Sequence, residues 1–117
     1  MKLPHEASLL RVFIGESDKF EGRPLGEVII EEARKRGLAG ATVLRGYLGF
    51  GANSRIHTSK VLRLSEDLPV IVEIVDEGKK IESFLPELDK MVEEGLVTLE
   101  KVQVIMYRHN GKSSSGK

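Results

Sequence analysis

Two glycines bracket a phenylalanine at Gly49-Phe50-Gly51, and Arg55, His57 and Lys60 follow closely. Glycines let a backbone approach a ligand and aim successive N–H groups at an anion, and the cations supply opposite charge. The chemistry such a stretch could do is to cradle a phosphate. The same residues also describe a flexible turn with solvated charges, and spacing alone favours that simpler account. Two other glycine stretches fail as phosphate loops. Gly49 to Ser54 half-matches a dinucleotide fingerprint, but no helical pattern follows it. Gly111-Lys112-Ser113 would need a glycine at position 106, where Met106 stands. Metal binding has little support, because His5 and His109 sit near the chain ends and His57 is alone in its segment. Ser54, His57 and Asp67 could form a triad on paper, yet no strand–turn–helix context surrounds the serine. No catalytic residue is assigned.

The elements that must position this segment follow from hydrophobic periodicity. Leu9 to Ile14 reads as a central strand, with Leu10, Val12 and Ile14 on one face and Leu9 and Phe13 on the other. A polar loop over residues 15–23 leads to Pro24, suited to a helix start. Leu25, Val28, Ile29, Ile30 and Ala33 give helical spacing up to a stop at Gly37. Ala41 to Leu48 reads as the second strand, and Pro69 to Asp76 as the clearest one. A helix spans about Glu77 to Glu93, with Pro86 expected to kink or split it. Leu96 to Tyr107 reads as the last strand. Its alternation changes phase, which predicts a bulge near Glu100–Lys101. Residues 49–68 are too long for a hairpin turn, and while Val61 to Leu64 are assignable to sheet or loop, Gly51 to Lys60 form a projecting loop in either case. Residues 51 to 60, polar and without periodic burial, are expected to be mobile.

The order βαββαβ predicts a ferredoxin-like α+β sandwich over residues 1–108, a four-stranded antiparallel sheet with both helices on one face. Residues 109–117 read as a disordered tail. The uncovered sheet face carries Leu9, Phe13, Ile71 and Val75 or their alternates, so an oligomer is expected. The chain has 117 residues, 40% hydrophobic and 31% charged, which fits one folded domain and excludes a disordered chain. With 18 basic and 18 acidic residues its net charge is zero, which argues against a nucleic-acid binder. Cysteine is absent and no signal peptide or membrane-spanning run is visible, so a cytoplasmic location without membrane insertion is the default.

At the loop the residues resemble a known family. Gly40-Ala41-Thr42-Val43, then Gly49-Phe50-Gly51 after five residues, resembles the run into the long loop of the PII nitrogen regulators, whose spacer is one residue shorter. Val72-Glu73-Ile74-Val75 looks like their third strand, and Gly95 with a strand ending at Arg108 looks like their last. More closely, residues 8–108 resemble the PII-like family catalogued only as a domain of unknown function, through ARKRGLAGATVLRGYLGFG, RIHTS and LSEDLPVIVEIVDE. The resemblance implies a non-enzymatic homotrimeric regulator that binds an adenine nucleotide between subunits and signals through its loop to a membrane transporter or an enzyme. The ligand residues it implies are Thr42, Gly49, Phe50, Gly51, Glu73, Ile74, Val75, Gly95 and Arg108, with Arg55 and His57 as nearby cations. Leu96 and Met106 replace basic residues of true PII, which points to AMP or ADP rather than a triphosphate, with no metal. The loop lacks the tyrosine that classical PII proteins modify. A divalent-cation-tolerance relative and an acylphosphatase-like hydrolase share the scaffold and are the alternatives.

Overall fold

The structure is a computed structural model that describes residues 5–50, 67–109 and 112–113. Chain order is β1 (Glu6–Gly15), β2 (Lys19–Phe20), β3 (Arg23–Pro24), α1 (Leu25–Lys35), β4 (Ala41–Arg45), β5 (Pro69–Asp76), α2 (Gly78–Met91), β6 (Leu96–Gln103), β7 (Arg108–His109) and β8 (Lys112–Ser113). The main sheet has the order β4-β5-β1-β6, every neighbouring pair antiparallel. This is the expected ferredoxin-like sandwich.

The core follows from strand phase. Leu10, Val12 and Ile14 of β1 and Val70, Val72 and Ile74 of β5 are all buried, all at even positions, and paired so that they share one face. On that face lie Leu25, Ile29 and Ala33 of α1 and Ile81, Phe84, Leu88 and Met91 of α2, each set at helical spacing. Helix α1 ends where Gly37 adopts φ 76°, and Leu38 N–H reaches back to the Ala33 carbonyl at 3.1 Å, a six-residue closing turn. Arg36 then bridges to Glu87 of α2 at 3.0 Å, tying the two helices on their exposed side.

Several expectations are corrected. Helix α2 is not split: it runs as one element from Gly78 to Met91 through Pro86. A proline in a helix interior costs about 3 kcal/mol, but buried Ile81 and Phe84 before it and Leu88 and Met91 after it hold both halves to one sheet. Strand β6 has no bulge, because its pairing with β1 runs without a break from Glu6↔Gln103 to Phe13↔Leu96. The apparent phase change has another cause. Val97 and Leu99 lie on the helix side and Val102 on the open side of one straight edge strand. The strand stops at Gln103, short of Tyr107, and the chain leaves with Val104 N–H donating to the His5 carbonyl at 2.6 Å. Likewise β4 ends at Arg45, not Leu48. Within the polar segment 15–23 the chain makes a small hairpin, turning at Glu21 and Gly22 with φ 51° and 81°. The stretch read as a tail contains a two-residue ladder, Arg108–His109 with Lys112–Ser113.

Gly95 enters β6 in a tight place. A Cβ there would lie 2.7 Å from the Phe13 carbonyl oxygen and 3.2 Å from Ile14 Cγ2. Gly95→Ala is expected to destabilise the protein by about 1–3 kcal/mol, the usual cost of overpacking, read as a lowered thermal midpoint.

Candidate functional site

The sheet face opposite the helices is set by the odd positions of β1 and β5. Across the sheet, Leu44, Ile71, Phe13 and Leu96 form one row, Thr42, Glu73, Arg11 and Thr98 the next, and Val75, Leu9 and Glu100 the third. An ion cluster therefore sits in an otherwise largely apolar face. Arg11 Nε donates to Glu73 Oε2 at 3.0 Å and its Nη1 donates to Glu100 Oε1 at 3.3 Å. The hydrogen bond to Glu73, and then the charges of Glu73 and Glu100, hold the Arg11 guanidinium above its ordinary range against the opposing effect of desolvation. The alternation Leu9-Arg11-Phe13 already placed this arginine on the open face, yet the sequence reading passed over it.

At one end of this face the chain leaves β4. Gly46 N–H donates to the Pro69 carbonyl at 2.6 Å. The Pro69 ring fills the notch that two glycines leave: a Cβ on Gly46 would lie 2.5 Å from Pro69 Cγ, and one on Gly49 3.0 Å from the same atom. The chain can make this close approach only because both positions lack a side chain. Beyond the notch Tyr47, Leu48 and Phe50 stand exposed, Phe50 by 72%.

The residues expected at a nucleotide site are distributed as follows. Thr42 and Glu73 are directly paired on the open face, and Val75 lies on that face. Ile74 is fully buried in the core, so only its backbone could meet a ligand. Gly49 and Phe50 lie beyond β4 at the sheet edge. Gly95 is at the same end of the sheet, but against Phe13, at the opposite edge. Two strands separate β4 from β6, and at about 4.8 Å per strand spacing that is ~14 Å. Arg108 follows Tyr107, whose hydroxyl donates to the Ala39 carbonyl at 3.5 Å beside the far end of β4. Gly51, Arg55, His57 and the Val61 to Leu64 stretch lie outside the described residues. One chain thus does not gather the Gly49 and Gly95 turns around a single phosphate.

Grooves run along both sheet edges. One of about 580 Å³ lies between α1 and β4 and includes Ile30, Thr42 and Val43. Its rim carboxylate Glu31 is held below its ordinary range chiefly by the hydrogen bond from Arg23, which contacts it at 2.8 and 2.6 Å. The other, about 440 Å³, lies between α2 and β6 and includes Leu88, Val92, Gly95 and Val97. Each groove contains one expected ligand residue. Among the described residues no three His, Cys, Asp or Glu side chains cluster as a metal site, and no helix is long and apolar enough to cross a membrane.

The four-stranded antiparallel sheet with its two helices is the ferredoxin-like fold of the PII-like signalling proteins. The structure is similar to that of a PII-like signalling protein of Thermus thermophilus, with a TM-score of 0.61 at 18% identity over 90% of this chain and 94% of that one. It is also similar to CPII, a nitrogen regulatory PII-like protein from Thiomonas intermedia K12 bound to ADP, AMP and bicarbonate, with a TM-score of 0.53 at 16% identity over 89% of this chain and 99% of that one. The chain belongs to the DUF190 family of uncharacterized proteins, whose model matches residues 7–104. Its relatives include a UPF0166 protein of Aquifex aeolicus, 47% identical over 83% of this chain and 91% of the relative. Another, from Methanocaldococcus jannaschii, is 34% identical over 85% of this chain and 92% of the relative. The family resemblance read from the sequence is borne out.

Proposed function

We propose that this chain is a non-enzymatic regulator that assembles as a homotrimer, binds AMP or ADP in clefts between subunits, and signals through the loop read at residues 51–60 to a transporter or an enzyme. The observation that carries the reading is the placement of the Gly49 and Gly95 turns at one end of the sheet but on opposite edges. Strand direction alternates across the sheet, so β4 of one copy beside β6 of another meets it antiparallel. That arrangement would join the two edge grooves and bring Thr42 and Gly49 of one copy toward Gly95 of the next. It also repeats around a ring, as a heterologous contact must if it is to close. Support for the ligand comes from CPII, which has this fold and is bound to ADP and AMP. Glycine N–H groups would meet the phosphate, strand backbone at Thr42 and Ile74–Val75 would meet the adenine, and the Arg108 guanidinium, beyond the adenine end of the sheet, would reach the ligand from that side.

Two measurements test this. Sedimentation should give a trimer at micromolar concentration, and a monomer there removes the intersubunit site. Calorimetry should show ADP or AMP binding, weakened about tenfold or more in Arg108→Ala, the loss of one charged hydrogen bond of ~1.5–3 kcal/mol.

A further inference from the structure

We infer that Asp67 is a positioning residue that fixes the glycine backbone at the opposite root of the 51–66 segment, acting through the turn that follows β1. The turn Gly15–Asp18 closes on itself, with Gly15 N–H donating to Asp18 Oδ2 at 2.9 Å and Asp18 N–H to the Gly15 carbonyl at 3.1 Å. Its other groups reach both roots of the segment. Ser17 N–H donates to Asp67 Oδ1 at 2.9 Å and Glu16 N–H to the Leu68 carbonyl at 2.8 Å, which holds the returning root. The Glu16 carboxylate meets Arg45 Nη2 at 2.6 Å, which touches the departing root. Pro69 joins the two, since its carbonyl accepts from Gly46 and its ring fills the Gly46–Gly49 notch.

The contacts differ in weight. Arg45 is 61% exposed, so its ion pair with Glu16 is screened and weak. Asp67 accepts a charge-assisted bond that is exposed as well, but from a backbone N–H already fixed by the turn, so only one side chain is ordered to make it. Proline at the first position of β5 has no N–H to add a rung of its own. The last β1–β5 pair is Gly15↔Pro69, so on the loop side of that pair the chain that carries the Gly46 rung is held by the turn's contacts to residues 67 and 68. The turn is shaped for this carboxylate: a Cβ on Gly15 would lie 2.7 Å from Asp67 Oδ1.

The consequence for nucleotide binding rests on the function proposed above, but the positioning role is tested without nucleotide. Amide exchange followed by NMR on the unliganded full chain should show Gly46 exchanging at least tenfold faster in Asp67→Ala, with Val12 and Val72 unchanged as controls for the fold. Asp67→Asn keeps an acceptor oxygen and should restore Gly46 protection to within threefold of the parent. Gly15→Ala should reproduce the alanine effect by pushing the carboxylate away, whereas Glu16→Gln should change Gly46 by less than threefold. Unchanged Gly46 exchange in Asp67→Ala would overturn the inference, as would an effect of Glu16→Gln equal to it. Failure of ADP to bind the parent protein would sink the proposed function and leave the exchange result standing.

Discussion

Asp76→Ala is expected to lower the unfolding free energy by about 3–5 kcal/mol, a large share of the stability of a domain this size. Asp76 is 1% exposed at the end of β5. One carboxylate oxygen accepts from Glu77 N–H at 2.6 Å, at the start of α2, and the other from Ala39 N–H at 2.8 Å, where the chain enters β4. Each charge-assisted bond contributes about 1.5–3 kcal/mol, and alanine leaves two backbone donors without this partner. Asp76→Asn keeps one oxygen acceptor and should lose less. Denaturant unfolding at one fixed protomer concentration measures both, because any oligomer makes apparent stability depend on concentration. A loss under 1 kcal/mol in the alanine variant would mean that water replaces the carboxylate and that these two elements are held by apolar packing alone.

The same residue shows what the sequence could and could not convey. Val70, Val72 and Ile74 alternate cleanly because β5 is central and one face must be dry, so their phase was legible. Asp76 continues that phase onto the buried side, where periodicity predicts an apolar residue. Only the backbone donors at Ala39 and Glu77 explain its identity, and while Glu77 is the next residue, Ala39 lies 37 positions away in the chain. Strand β6 was misread for the converse reason. It is an edge strand whose residues are mostly exposed, so burial imposes no phase on it and apolar residues stand on both sides. The β2–β3 hairpin was read as loop because its strands are two residues each, too short for alternation to register.

Site residues were legible in proportion to how local their reason is. The glycines at 49 and 95 stood out by type, and a family resemblance attached a role to them. Their mutual distance was not legible, because it depends on strand order and not on spacing along the chain. The grip of Gly15–Asp18 on both loop roots was missed for the same reason: Ser17 and Asp67 are 50 positions apart. Arg11 is intermediate. Its face was readable from Leu9 and Phe13, while its pairing with both Glu73 and Glu100 needed β1 to lie between β5 and β6.

Gly46→Val should abolish ADP binding, with affinity falling at least a hundredfold, about 2.7 kcal/mol, while the sheet and the assembly persist. A Cβ at position 46 would lie 2.5 Å from Pro69 Cγ and 3.3 Å from the Pro69 carbonyl oxygen. Neither contact can be relieved by turning a side chain, because one atom is in a ring and the other is backbone. The strand end must move away from Pro69, the 2.6 Å rung from Gly46 N–H is lost, and Gly49 is carried with it. A phosphate held by glycine N–H groups tolerates little displacement, because its contacts are directional and shared among donors that must converge. The core is untouched, since Gly46 lies beyond the last β4–β5 pair, Arg45↔Val70. Loss of binding through a clash with the ring has a specific remedy: Pro69→Ala removes Cγ, so the double variant Gly46→Val/Pro69→Ala should regain part of the affinity. Calorimetry on the two single variants and the double gives the coupling between the positions. Unaltered affinity in Gly46→Val would place the phosphate away from the loop root, and loss without recovery in the double variant would mean that the glycine's freedom, not the proline notch, is what the ligand needs.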